Sequence, residues 1–145
     1  MITRYDASFK DIALKLGRAI HEESRYKNFD YSEKKILRLL ENPAVFCAFS
    51  IVDHKPIGFF LGIVQQVWFS ETKYGFDLGL YILPEHRGGT HAVRLIRAFE
   101  QFCKEQGCAE ITLSSSAEIS TALAEKLYKK LGYHNCGFIS RKDII

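Results

Sequence analysis

The residues with the clearest chemical potential are Arg87-Gly88-Gly89-Thr90-His91, which follow the apolar run Leu80-Tyr81-Ile82-Leu83-Pro84. A strand feeding a glycine turn at the start of a helix leaves backbone N–H groups without intrahelical acceptors. The positive end of the helix dipole lies beside them, and the combination takes phosphate. The same residues also fit a plain strand-to-helix turn with capping glycines, and a single glycine pair does not separate the two readings.

Other reactive groups are sparser. His21-Glu22-Glu23-Ser24-Arg25 is not the two-histidine zinc motif, because Arg25 stands where the second histidine belongs. The four cysteines, Cys47, Cys103, Cys108 and Cys136, form no C-x-x-C pair. With no histidine at finger spacing, no metal is expected. Three of them sit in apolar or strand-like surroundings, where free cysteine acts as a small hydrophobe.

The elements that must position these groups follow from periodicity. Residues 1–5 read as a strand, and Asp6 caps a helix with Phe9, Ile12, Ala13, Leu16 and Ile20 on one side. Ser32 caps a second helix carrying Ile36, Leu37, Leu39 and Leu40, which Asn42-Pro43 stops. Residues 45–52 and 57–66 form a hairpin around Asp53-His54-Lys55-Pro56. Residues 74–83 are a further strand, with Phe76, Leu78, Leu80 and Ile82 on one face and Asp77, Gly79, Tyr81 and Leu83 on the other.

After the glycine turn, Ala92, Leu95, Ile96, Phe99, Phe102 and Cys103 recur at helical spacing up to Gly107. Residues 109–113 read as a short buried strand. A helix with Leu123, Ala124, Leu127, Tyr128 and Leu131 on its apolar side then ends at Gly132, and residues 133–139 return as a strand. The order predicts an α/β (α+β) layered domain with a mixed sheet, one domain over residues 1–145.

Composition narrows the classes. A hydrophobic content of 47% with 26% charged residues is that of an ordinary globular protein. The formal net charge of +3, with basic residues scattered, argues against nucleic acid. No segment has signal-peptide or membrane-span character, so a cytoplasmic protein without membrane contact is expected. An exposed strand edge would either pair with a second copy, giving a homodimer, or stay free.

Two stretches together resemble the GCN5-related N-acetyltransferases, the GNAT superfamily. They are Tyr81-Ile82-Leu83-Pro84-Glu85-His86-Arg87-Gly88-Gly89 with its following helix, and Ala124-Glu125-Lys126-Leu127-Tyr128-Lys129-Lys130-Leu131-Gly132-Tyr133. The order of elements is similar to that fold over nearly the whole chain. The Pro84-Glu85-His86-Arg87-Gly88-Gly89 variant, with His21-Glu22-Glu23-Ser24-Arg25-Tyr26 near the front, is similar to small bacteriophage members. The family loop usually reads Gln or Arg, two residues, Gly, one residue, then Gly or Ala. Here Glu85, Gly88 and Thr90 hold those places. Thr90 adds a side chain where close backbone approach is wanted, although its hydroxyl is itself a phosphate donor. The family's frequent asparagine falls at Thr121, which is shorter.

The resemblance implies a GNAT fold with splayed central strands and acetyl-CoA as acyl donor. Its pyrophosphate would lie on Arg87, Gly88, Gly89, Thr90 and His91, with Arg87 adding charge-assisted hydrogen bonds. Leu80, Tyr81 and Ile82 would pair through their backbone with pantetheine. Tyr128 corresponds to the general acid that returns a proton to the leaving thiolate, and its position fits a packed core tyrosine equally well. An attacking ammonium must first lose a proton. Asp77 is the leading carboxylate for that role, with Glu71, Glu22 and water as competitors. Glu22, Glu23, Arg25 and Tyr26 are the implied acceptor contacts, and Trp68 and Phe69 line the acceptor pocket or cover the hairpin. The implied reaction is direct transfer to a primary amine whose identity stays open. A CoA-binding or protein-interaction module without turnover is the rival reading.

Overall fold

The computed structural model describes residues 1–115 and 119–145. Its elements are β1 (Ile2–Arg4), a 3-10 turn (Ala7–Phe9), α1 (Lys10–Glu23), α2 (Glu33–Leu40), β2 (Val45–Val52), β3 (Lys55–Gln66) and β4 (Lys73–Ile82). A second 3-10 turn (Pro84–His86), α3 (His91–Glu105), β5 (Glu110–Thr112) and α4 (Thr121–Lys130) complete it. The sheet has five strands in the order β1-β2-β3-β4-β5, antiparallel except for the parallel β4–β5 pair. The mixed sheet with helices on both faces matches the expected class.

Local chemistry sets the boundaries. The Asp6 carboxylate accepts from the Ser8 N–H and starts the turn that leads into α1. The Ser32 hydroxyl accepts from the Lys35 N–H at 3.2 Å and caps α2. The β2–β3 hairpin turns on Asp53 and His54, both with positive φ (49° and 65°), the backbone twist that a two-residue hairpin loop requires.

Helices on both faces bury β2 on both sides. Phe46 and Ala48 join Phe60, Leu95, Ile96 and Phe99 in the core under α3, whereas Cys47 and Phe49 join Phe59, Tyr81, Ala13 and Leu16 under α1. Phe46, Phe60 and Phe99 are fully buried, each ring stabilising the fold by about 2–3 kcal/mol through area removed from water. No helix among the described residues is long and apolar enough to cross a membrane.

Three expectations are corrected. Residues 133–139 carry no strand; Gly137 has φ +70°, and Phe138 and Ile139 are exposed. The polar run His134-Asn135 and this turn break the extended pattern. Strand β5 is three residues long, and none of the three is fully buried. Leu123 points to solvent, while Leu127, Tyr128 and Leu131 carry the contact of α4 with the α3-side core.

The fourth correction concerns β4. Its register against β3 runs Leu61↔Gly79 and then Gly62↔Asp77, so Leu78 is an extra residue without a partner. This β-bulge resets the alternation of faces. A Cβ at Gly75 would meet Cys103 and Phe99 of α3, and Asp77 shares that side two residues on. A Cβ at Gly79 would meet Ile20 of α1 and Phe59. Asp77 therefore does not share a face with Gly79 and Tyr81, as simple alternation predicts.

Candidate active site

The bulge also marks where β4 and β5 part. Their ladder covers only Tyr74↔Glu110, Gly75↔Ile111 and Phe76↔Thr112. Beyond it the contact passes to side chains: the Asp77 carboxylate accepts from the Ser114 N–H at 2.9 Å and from its hydroxyl at 3.3 Å. From Leu78 to Ile82, β4 is paired to β3 alone. The Leu83 N–H donates to the Ile57 carbonyl across that pair, so alternation points the backbone groups of Leu80 and Ile82 outward and those of Tyr81 toward β3. The backbone of Leu80 and the N–H of Ile82 thus offer pairing at the open edge, the Ile82 carbonyl being taken by the Arg87 Nε. Tyr81 is committed to β3, and its ring to the α1 side.

The open edge leads into the turn that starts α3. Gly88 has φ +89°, which only glycine adopts freely, and a Cβ there would meet nothing within 4 Å. Among the described residues, no backbone acceptor takes the N–H groups of Gly88, Gly89 and Thr90. Thr90 is the N-cap residue of the 15-residue α3, and its side chain makes no capping bond. These residues fit a phosphate: open space, free donors and the positive end of a long helix converge there.

His91 begins α3 with its Nδ1 3.0 Å from the Ser50 hydroxyl. Burial, then His86 and Arg94 beside it, lower its pKa, which keeps the ring neutral near pH 7.

Arg87 is held elsewhere. Its Nε donates to the Ile82 carbonyl at 2.8 Å, and its Nη2 donates to both Glu23 oxygens at 2.9 and 2.8 Å. The Tyr81 hydroxyl donates to the same Glu23 carboxylate at 2.9 Å. Burial and this carboxylate push the Tyr81 phenol up to about 12. The cluster ties the end of α1 to the end of β4, joining residues 64 apart in sequence. Nothing in the periodicity could reveal that pairing.

On the α3 side, Tyr128 donates to the Ser114 carbonyl at 3.0 Å. Asp77, Ser114 and Tyr128 therefore form one chain of contacts lining the splay. Burial raises the Asp77 carboxyl to about 6 against the pull of the Ser114 donors. Burial, then the nearby Asp77 charge, raise the Tyr128 phenol well above its ordinary value, so it holds its proton at neutral pH.

The remaining predicted residues lie apart from this chain. Glu22 is exposed near the end of α1, and the Arg25 guanidinium stacks 4.1 Å from the Tyr26 ring centroid in the following turn. Trp68 and Phe69 lie exposed in the β3–β4 connection. Glu71 accepts the Gln66 side chain through its backbone carbonyl. Thr121 is exposed at the start of α4. Among the described residues, no three His, Cys, Asp or Glu side chains converge as a metal site.

Residues 10–133 match the family model of the acetyltransferase (GNAT) family. The chain belongs to that family. An aminoglycoside N(6')-acetyltransferase type 1 of Acinetobacter haemolyticus is 30% identical over 84 residues, which are 56% of this chain. The matched part spans 57% of that relative's length.

Among solved structures, an aminoglycoside acetyltransferase from an uncultured soil metagenomic sample, in complex with trehalose, superposes with TM-score 0.81. It is 18% identical and covers 100% of this chain and 95% of that one. The aminoglycoside N-acetyltransferase AAC(6')-Iy in complex with CoA gives TM-score 0.79 at 16% identity over 99% of this chain and 93% of that one. These likenesses show the GNAT fold.

Proposed function

We propose that the protein is an acetyl-CoA-dependent N-acetyltransferase that acts on a primary amine. The observation that carries this reading is β4 itself, paired on both sides before Leu78 and on one side after it, leading directly to free N–H groups at Gly88, Gly89 and Thr90. A donor laid along that edge would place its pantetheine amides against the Leu80 and Ile82 backbone and its pyrophosphate in the turn. Thr90 supplies a hydroxyl to the phosphate in place of close backbone approach. Arg87 reaches the phosphate once it releases Glu23. The aminoglycoside acetyltransferase relatives support an amine as acceptor. The free cysteines and the acetyl-CoA chemistry fit a cytoplasmic setting.

In the proposed step the neutral amine nitrogen bonds to the thioester carbon, and the carbon–sulfur bond breaks. Tyr128 gives its phenolic proton to the departing sulfur, and the nitrogen's surplus proton leaves to water. Asp77 holds Ser114, whose carbonyl in turn fixes the Tyr128 hydroxyl, so Asp77 is a positioning residue in this reading. The acid chemistry lies on the α3 side of the splay, which leaves the α1–α2 side for the incoming amine.

A heat-shift titration combined with thiol release tests the reading. Acetyl-CoA and CoA are expected to raise the melting temperature, by mass action on the folded state. An amine panel is expected to release free thiol. Absence of both effects would contradict the proposal, whereas stabilisation without turnover of any amine would favour a binding module.

A further inference from the structure

The α1–α2 side of the sheet holds a cavity of about 170 Å³ that ends at the Leu78-Gly79 bulge. It is walled by apolar side chains of α1, α2, β2 and β3, among them Ala13, Ile36, Phe59 and Leu61. Among the described residues, no Asp, Glu, Lys, Arg or His lines it. Its polar groups are the Cys47 thiol and Tyr31, whose hydroxyl donates to the Leu14 carbonyl at 2.6 Å.

Two glycines shape this space. A Cβ at Gly17 would stand 2.6 Å from the Tyr31 oxygen, so only glycine lets the tyrosine lie over α1 as a wall. Gly79 leaves the inner end clear, where a Cβ would sit 3.6 Å from Ile20 and Phe59. Leu78, 43% exposed, stands at the bulge as a large apolar side chain left open. Well-packed interiors hold few voids of this size, and an apolar cavity of ~150 Å³ is enough to bind benzene.

We infer that this cavity takes the body of the acceptor, and that the substrate is a primary amine carried on a compact hydrocarbon group, a single ring or a short branched chain. The inference rests on the acyltransferase reading above: a donor running from the Gly88–Thr90 turn along Ile82 and Leu80 brings its acyl end toward the bulge, with the general acid on the opposite face. A ring filling the cavity with a short arm toward Gly79 brings its nitrogen to the open edge of β4. A polycation does not suit this wall. Each buried ammonium needs a carboxylate or carbonyl partner that the lining side chains lack.

The test titrates the protein, with and without CoA, with 2-phenylethylamine, spermidine and kanamycin. Amide NMR shifts report binding, and thiol release from acetyl-CoA reports turnover. Phenylethylamine is expected to move the signals of Ala13, Gly17, Ile36 and Leu61 and to give a kcat/KM at least tenfold above either polycation. Ala13→Leu and Ile36→Phe fill the cavity from two different helices. Whichever stays folded is expected to raise the KM for phenylethylamine tenfold or more while leaving the acetyl-CoA heat shift unchanged.

Faster turnover of a polycation, unmoved cavity signals or an unchanged KM in a folded variant would overturn the inference. So would a shift of the cavity signals by hexanoyl-CoA and not by the amine, since the acyl chain would then be the occupant. Loss of every acetyl-CoA response would instead contradict the acyltransferase reading, and the amine titration would still decide what the cavity takes.

Discussion

The first part of β4, Lys73 to Phe76, lies between β3 and β5, whereas the part from Gly79 to Ile82 is paired to β3 only. In the first part the backbone is packed so closely that a Cβ at Gly75 would lie 2.4 Å from the Cys103 sulfur. In the second part no strand pairs the outer edge, and an apolar cavity lies on the α1 side. Leu78 separates the two parts, turning Asp77 to the acid side and Gly79 to the cavity side. One strand is thus core at its start and paired on one side only at its end, and a single inserted residue marks the division.

The largest expected effect breaks the acid side. Tyr128→Phe is expected to slow thiol release by about a hundredfold, within the range for loss of a general acid, while the acetyl-CoA heat shift is kept. An unchanged rate with a competent amine would remove Tyr128 from the chemistry and leave it as a packing residue.

The contrast between the two parts of β4 is tested by one small change made twice. Gly75→Ala is expected to destabilise the fold by about 1–3 kcal/mol in denaturant unfolding, the cost of overpacking against α3. Gly79→Ala, with 3.6 Å of room, is expected to stay within about 0.5 kcal/mol of the parent. Equal costs would mean that the two parts are packed alike.

Asp77 sharpens the boundary through pH. Its folded-state pKa of about 6 lies above the reference 3.8, so folding favours the protonated carboxyl. That contribution is fully present below about 3.8 and is lost as pH rises through about 6, on the order of 3 kcal/mol. Asp77→Asn is expected to flatten this dependence, which unfolding curves at pH 4 and pH 7 would report. An equally steep dependence in the variant would assign the proton to another group.

The smallest effect lies at the far end of the strand. The Arg87–Glu23 pair is partly exposed, with side-chain exposures of 30% and 32%. Glu23→Gln is expected to cost about 1 kcal/mol or less, because such pairs are screened by water. It is also expected to tighten acetyl-CoA binding a few-fold by freeing Arg87, measurable by calorimetry.

Much of the fold was legible in short-range chemistry. The Ser32 cap and the stripe of α3 arise within a few residues of sequence and stand where pattern predicts, whereas Asp6 caps a 3-10 turn before α1 and the hairpin turn is Asp53-His54 alone, with Lys55 and Pro56 already in β3. The glycine turn before α3 was legible for the same reason. The bulge was not, because Phe76, Leu78, Leu80 and Ile82 alternate without interruption and an inserted residue leaves no mark in hydropathy. Nor was the tail: residues 133–139 are β-prone, but a strand needs a partner, and pairing is not written locally. The Glu23–Tyr81–Arg87 cluster and the apolar cavity join segments that the chain separates widely, so composition and spacing could not show them.

In the proposed reading, the second part of β4 and the turn after it form one docking edge for an acyl-CoA. Amide NMR during an acetyl-CoA titration tests it most directly. Large shifts are expected at Leu80, Ile82, Gly88, Gly89, Thr90 and His91, with Tyr74, Gly75 and Phe76 nearly unmoved. Saturable shifts centred elsewhere, or none at millimolar acetyl-CoA, would contradict it.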